Sequence, residues 1–200
     1  MSFGENRASD TYKRKKIIAL LEKAQGISED KDTCVFLSHI NMDKEMVREI
    51  GNYITKAGID IYLDENDTDL QYASSQGNDE KITKCIHNGI KESTNILCLL
   101  SPDTVKSWWV PYEIGYGEKA AKEISSLKLK ELSSNNIPSY LKMKKIINGI
   151  NELNDYLQSI SKISVKKFDK FSDNLYKASK ERTILQESAN WHPLKNYLDQ

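Results

Sequence analysis

Hydrophobic and polar positions along the chain predict strands and helices in alternation. Three short apolar runs rich in β-branched residues predict strands, in chain order TCVFLSH, IDIYLDEN and TNILCLL. Apolar residues at helical spacing predict a helix over 46–57, ended by Gly58, and another over about 78–92. Strands that alternate with helices of this length indicate an α/β fold, with a parallel sheet flanked by helices.

The two ends of the chain follow a different pattern. Apolar residues at helical spacing predict a short amphipathic helix over 12–25 and further helices over about 151–161 and 167–187. Two weaker strand candidates, LKLKEL and KKIING, precede the last helices. The pattern divides the chain into three segments: an N-terminal helical extension over 1–31, an α/β domain over 32–160 and a C-terminal helical extension over 161–200.

Composition and charge narrow the classes of function. The 200 residues carry 29 Lys and Arg against 29 Asp and Glu, so no strong overall field favours nucleic acid as a partner. No apolar run approaches the roughly 20 residues that cross a bilayer, and the polar first residues lack the apolar stretch of a secretory signal. We expect a cytoplasmic protein that binds neither nucleic acid nor membrane.

The three cysteines agree with a reducing compartment. Cys34, Cys85 and Cys98 lie far apart in apolar surroundings, are odd in number and have no CxxC spacing. Buried free thiols are therefore expected rather than disulfides or a metal site.

The sequence lacks several common catalytic motifs. The first predicted strand runs into FLSHINMDKE, which is neither the GxGxxG of dehydrogenases nor the GxxxxGK[ST] of P-loop NTPases. The three histidines are scattered without metal-ligand spacing, and no G-x-S-x-G elbow surrounds a serine. These features count against nicotinamide redox chemistry, P-loop hydrolysis, a metal centre and serine hydrolysis.

Polar residues stand where each of the three predicted strands ends. They are Ser38 and His39, then Asp64 and Glu65, then Ser101. In open parallel sheets, ligands bind beyond the carboxyl ends of the strands, so we expect these side chains to meet at one rim. The loop after the third strand delivers Trp109 and Glu113 to the same rim.

The stretch SWWVPYEIGYGEKA places two tryptophans ahead of a glutamate. Proline is favoured in a first helical turn and biases its predecessor away from helix, so we expect the helix to begin near Val110 and Pro111. Glu113 then falls in the first turn, with Tyr112 and Tyr116 paired one turn apart. A structural explanation is available: a first-turn carboxylate stabilises the helix dipole by roughly 0.3–1 kcal/mol, and the tryptophans cover the end of the sheet.

A catalytic explanation is available for the same residues. The nicotinamide of NAD+ is a flat cation, which an indole face binds with roughly 0.5–2 kcal/mol. Breaking its bond to ribose develops positive charge on the sugar carbon, and a nearby carboxylate stabilises that state. Most glycosidases need a second carboxyl group to protonate the leaving oxygen. Nicotinamide leaves neutral, so one carboxylate, Glu113, is sufficient.

Three blocks of the sequence together resemble a TIR (Toll/interleukin-1 receptor) domain of the bacterial, stand-alone type. The blocks are VFLSHINMDKEMVREIGNYITKAGIDIYLDEND, GIKESTNILCLLSPDTVKSWWVPYEIGYGEKA and NNIPSYLKMKKI, and they extend over roughly residues 33–160. The resemblance implies a flavodoxin-like fold. It also implies NAD+ cleavage, as in many bacterial and plant members, or the adaptor role of others.

The resemblance implies roles for individual residues. Glu113 matches the catalytic glutamate, and Trp109 matches the tryptophan that stacks on the nicotinamide ring. The rest of the expected NAD+ pocket consists of Phe36, Ser38, His39, Asp64 and Tyr112. The segment 66–78 is expected to gate the site and to mediate TIR–TIR self-association. NAD+ is expected as the substrate, without a separate cofactor or a metal.

The expected product is ADP-ribose or a cyclic ADP-ribose-type signal, sensed by a separate effector in anti-phage defence. Two alternatives stay open. A non-catalytic assembly module would dock a partner TIR through 66–78, with Glu113 only capping its helix. A nucleoside 2-deoxyribosyltransferase, from a related α/β fold, would form a covalent sugar on Glu113. A carboxylate buried away from any cavity at the rim favours the assembly module.

Overall fold

A computed structural model of the chain describes residues 3–23, 33–40, 44–161 and 192–199. Its centre is a five-stranded, entirely parallel sheet with the strand order β2-β1-β3-β4-β5. The strands are β1 Cys34–Ser38, β2 Asp60–Tyr62, β3 Asn95–Leu100, β4 Glu123–Lys128 and β5 Lys145–Asn148. This order is that of flavodoxin-like folds, so the predicted α/β architecture is confirmed.

Helices connect the strands and flank the sheet. They are α1 Asp10–Lys23, α2 Lys44–Lys56, α3 Thr68–Ser75, α4 Asp79–Glu92, α5 Trp109–Lys119, α6 Ser139–Lys142 and α7 Gly149–Ile160. After α2 the chain turns sharply at Gly58, whose φ of 84° is in the region that glycine adopts without strain.

Two hydrophobic clusters lie on opposite faces of the sheet because side chains alternate along each strand. On one face, Val35 and Leu37 of β1 pack with α2 and α7. On the other face, Cys34 and Phe36 pack with α4 and α5. The three cysteines are buried and free, as predicted.

Strand β4 and the segment 66–78 differ from the sequence prediction. Strand β4 begins at Glu123, ahead of the predicted LKLKEL. The pattern did not predict this start because two serines interrupt the apolar run, although both are buried between neighbouring strands. The segment 66–78 is not all loop, since it contains α3. The Asp67 side chain caps this helix by accepting the backbone N–H of Asp69 at 3.1 Å.

The described terminal residues pack on the domain. Near the N-terminus, the backbone of residues 5–7 hydrogen-bonds to Ile61 of the edge strand β2, and Arg7 forms an ion pair with Asp60 at 2.7 Å. Residues 192–199 form turns that bury Leu194 and Leu198. The helix predicted over 167–187 lies outside the described residues.

Within the described ranges, no helix is both long and apolar enough to cross a membrane.

Candidate active site

The strand order creates a crevice between the carboxyl ends of β1 and β3. From β1 the chain continues to α2 on one face of the sheet, and from β3 it continues to α5 on the other face. Adjacent strands whose connections leave to opposite faces form the switch point where such folds bind ligands. Ser38 ends β1 at this point, and α5 carries Glu113.

Glu113 and Ser38 meet inside the protein. The Ser38 hydroxyl donates a hydrogen bond of 2.6 Å to Oε2 of Glu113, and the two residues are 1% and 4% exposed respectively. Burial raises the pKa of Glu113 to about 8; the Ser38 hydrogen bond lowers it and the negative charge of Asp64 raises it. At neutral pH the carboxyl group is therefore mostly protonated in this conformation.

The helix that carries Glu113 begins earlier than predicted. It starts at Trp109 because the Ser107 hydroxyl accepts backbone N–H groups at 3.1 and 3.3 Å and so caps it ahead of Pro111. Glu113 is the fifth residue of α5, beyond the first turn. The dipole explanation for Glu113 is weakened, since that effect falls off within one turn.

Aromatic rings line the exposed side of the same helix. Trp109 and Tyr112 are each 41% exposed and meet edge to face, with 5.9 Å between ring centroids. The predicted pairing of Tyr112 with Tyr116 is mediated by His87 of α4. The His87 ring stacks on Tyr116 at 3.7 Å between centroids, and its Nε2 is 2.6 Å from the Tyr112 hydroxyl. Sequence reasoning missed this role for His87 because the apolar pattern of α4 does not mark it.

His39 and Asp64 form a second polar pair near Glu113. Nδ1 of His39 lies 2.9 Å from the carbonyl oxygen of Leu37, and its Nε2 lies 3.5 Å from Oδ1 of Asp64. Burial raises the pKa of Asp64, and the electrostatic interaction with His39 opposes that shift. The structure thus brings together Ser38, His39, Asp64 and Glu113.

Phe36 does not reach this rim. It is 1% exposed and stacks on Tyr62, with 5.7 Å between ring centroids, in the cluster below α4 and α5. Two residues of β1 separate it from the strand's carboxyl end. Its place in the structure is that of a core residue.

A cavity of about 240 Å³ opens elsewhere on the rim. Its lining combines the first turn of α2, the ends of β3 and β4, and the C-terminal residues Asn196 and Tyr197. Ser101 is the predicted rim residue that lines it; none of the residues expected in the NAD+ pocket does. In this conformation Glu113 is covered by protein, an observation that by itself favours the assembly interpretation.

No group of three or more His, Cys, Asp or Glu within the described part of the chain could hold a metal ion.

Comparisons with known proteins bear on the fold and the family. The family model described as "TIR domain" matches residues 35–161. No curated protein gives a match. Among solved structures, the CMP N-glycosidase BcmB of Clostridium botulinum is similar, with 18% sequence identity and a TM-score of 0.40 over 64% of this chain and 97% of that chain. Because the TIR model matches well over half of its residues, the chain belongs to the TIR domain family.

Proposed function

We propose that the protein is a TIR-domain NAD+ nucleosidase. It cleaves the bond between ribose and nicotinamide and releases nicotinamide together with ADP-ribose or a cyclic ADP-ribose-type product. In a bacterial anti-phage system, such a reaction would deplete NAD+ or produce a signal for a separate effector.

The observation that carries this proposal is the environment of Glu113. Among the described residues, its hydrogen-bond partner is the Ser38 hydroxyl, and no Lys, Arg or His lies within ion-pair distance. Burying a carboxyl group without a cation destabilises a protein, and such groups with perturbed pKa values concentrate at functional sites. The position at the switch point between β1 and β3 supports a catalytic role for Glu113.

The neighbouring aromatic residue supports the same chemistry. Trp109 lies one helical turn before Glu113 on α5 and keeps 41% of its surface exposed. A pyridinium ring on this indole would bring its ribose towards the carboxylate, which stabilises the positive sugar only when ionised. With Glu113 4% exposed, the residues that cover it must move before the substrate arrives. Hydration in the open conformation would also lower its pKa.

The second candidate is the non-catalytic assembly module. It is favoured by the burial of Glu113 and by Trp108, which is 93% exposed at the start of α5. TIR domains generally self-associate. In this alternative the exposed indole contacts another protein, and Glu113 only joins α5 to β1 through Ser38.

The deciding experiment is product analysis with NAD+ for the parent protein and two variants. Glu113→Gln keeps the shape of the side chain but cannot become an anion. Glu118→Gln is the matched control, since Glu118 lies on the same helix, is half-exposed and pairs with Lys144. We expect nicotinamide release to fall at least about 100-fold in Glu113→Gln and to be unchanged in Glu118→Gln.

The assay requires a range of protein concentrations because TIR activity can depend on assembly. Equal cleavage by Glu113→Gln and the parent would show that Glu113 is not the catalytic residue. A parent protein that self-associates in sedimentation yet releases no nicotinamide at any concentration would establish the assembly module instead.

A further inference from the structure

The hydrogen bond of His39 fixes the tautomer of its ring. Nδ1 lies 2.9 Å from the Leu37 carbonyl oxygen, which can only accept, so Nδ1 carries a proton. Nε2 then faces Oδ1 of Asp64 at 3.5 Å. Two bare acceptors repel at this distance, so the pair is stable when a proton is held on Nε2 or on the carboxyl group. With that proton on Nε2, His39 orients Asp64 as a carboxylate that can accept a further proton.

This pair lies at the same end of the sheet as the hydrogen bond between Ser38 and Glu113. Ser38 ends β1 and is bonded directly to Glu113, and Asp64 follows the end of the adjacent parallel strand β2 at Tyr62. The two carboxyl groups are close enough for the negative charge of Asp64 to raise the pKa of Glu113. The Asp64 side chain is 27% exposed, so solvent reaches Asp64 more readily than Glu113.

The neighbouring carboxylates have different partners. Glu65 is held by Arg48 at 2.7 Å, and Asp67 is held by Lys13 at 2.8 Å and by the Tyr62 hydroxyl. Within the described residues, Asp64 has no Lys or Arg partner; its ionisable partner is the His39 ring. Asp64 is thus the acidic residue of this segment that is held by an imidazole and not by a Lys or Arg side chain.

We propose that Asp64, oriented by His39, is the general base for the nucleophile that attacks the ribosyl carbon once nicotinamide has left. This role rests on the proposed function. The C–N bond breaks with its electron pair moving to nicotinamide, which leaves neutral. Water then forms the new C–O bond at the same carbon, its O–H bond breaks, and Asp64 takes the proton and passes it to solvent. The sum is NAD+ and water giving ADP-ribose, nicotinamide and one proton.

This assignment separates two reactions that share the first step. Hydrolysis requires removal of a proton from water, whereas recapture of nicotinamide by the ribosyl group requires none. Exchange of labelled nicotinamide into NAD+ therefore depends on Glu113 but not on Asp64. A merely structural role for Asp64 would lower hydrolysis and exchange together.

The experiment compares hydrolysis and exchange in Asp64→Asn, in the control Asp155→Asn and in the parent. Asp155 is exposed on α7, so the control changes the same charge at a position outside the site and outside the segment 66–78. We expect Asp64→Asn to lower hydrolysis about 100-fold and to keep exchange within about threefold of the parent. His39→Gln, a change to the positioning residue, is also expected to lower hydrolysis more than exchange. It also tests the pair if Asp64→Asn does not fold.

Parent-like hydrolysis in both Asp64→Asn and His39→Gln would overturn the proposal. So would an equal loss of hydrolysis and exchange in a folded Asp64→Asn, since that result indicates a structural role. A parent protein that neither hydrolyses NAD+ nor exchanges nicotinamide would instead refute the proposed function, and this proposal with it.

Discussion

The two faces of the sheet share the same strands but differ in what they bury at the carboxyl ends. On the face covered by α2 and α7, β1 contributes Val35 and Leu37 to a large hydrophobic cluster. On the face covered by α4 and α5, β1 contributes Phe36 and then Ser38, whose hydroxyl meets the buried Glu113. One residue along a strand thus separates an apolar environment from a polar one.

This difference assigns separate tasks to the two faces. Apolar burial stabilises a fold by about 25 cal/mol per Å² removed from water, and the first face supplies such burial up to the rim. A carboxyl group buried without a cation works in the opposite direction. Proteins break local rules of stability mainly at functional sites, so the second face is where function is expected.

The largest expected effect on stability comes from the first face. Leu153 of α7 is fully buried in its cluster, and Leu153→Ala should lower the free energy of unfolding by about 2–5 kcal/mol. The volume-conserving Leu153→Met should cost less than about 1.5 kcal/mol. Urea unfolding measures both. A loss below about 1 kcal/mol for the alanine variant would mean that this face is not the main source of stability.

On the second face, the isosteric change Glu113→Gln should raise the free energy of unfolding. The pKa of Glu113 is raised to about 8 in the folded protein from an ordinary value of 4.5. The protonated form therefore adds stability that is complete below about pH 4.5 and is lost as pH rises through 8. Glu113→Gln loses none of it, so at pH 7 it should be more stable than the parent by about 3 kcal/mol.

Urea unfolding of the two proteins at several pH values checks this prediction. The difference in unfolding free energy should be small near pH 4.5 and should widen up to pH 8. A difference that does not change with pH would show that Glu113 titrates at its ordinary pKa. Burial of this carboxyl group would then not distinguish the second face from the first. The control Glu118→Gln should show little change, because its carboxylate is half-exposed.

Sequence patterns predicted most of the fold because burial imposes a period on the chain. The strands β1, β2 and β3 and the helices α2 and α4 follow from apolar runs and helical spacing, and the structure confirms them within a few residues. Strand β4 was misplaced because its serines are buried without being apolar. Helix α3 was missed because the segment 66–78 is mostly polar and contains Gly77, which is typical of a loop, and the Asp67 cap was not recognised.

The sequence predicted which strand-end residues lie close together, but not whether they are exposed to solvent. Strand ends and the stretch SWWVPYEIGYGEKA pointed to Ser38, Asp64 and Glu113, which the structure places close together. Whether a carboxylate at a rim is open or covered depends on packing between distant segments, and no local pattern encodes it. The start of α5 at Trp109 depends on capping by the Ser107 hydroxyl, whereas Pro111 predicted a start near Val110 and Pro111.

A smaller effect should follow from removing the hydroxyl that meets Glu113. Ser38→Ala deletes the hydrogen bond that lowers the pKa of Glu113, so this pKa should rise further above 8. The loss of stability should be about 1 kcal/mol near neutral pH, where the carboxyl group is mostly protonated. A carboxyl ¹³C NMR titration, with Glu113→Gln used to identify the signal, measures the shift without any activity assay. An unchanged titration would show that the bond does not form in solution.

The smallest effects are expected at the two tryptophans, where the comparison is sharpest because they are neighbours in sequence. Trp108 is 93% exposed, so Trp108→Ala should change stability by less than about 0.5 kcal/mol. Trp109→Ala removes the edge contact with Tyr112 and the indole proposed to hold nicotinamide. Its KM for NAD+ should rise about 2- to 30-fold, as expected for a cation–π contact. If steady-state kinetics show the larger rise in KM for Trp108→Ala, the indole that binds the nicotinamide ring is that of Trp108 and not that of Trp109.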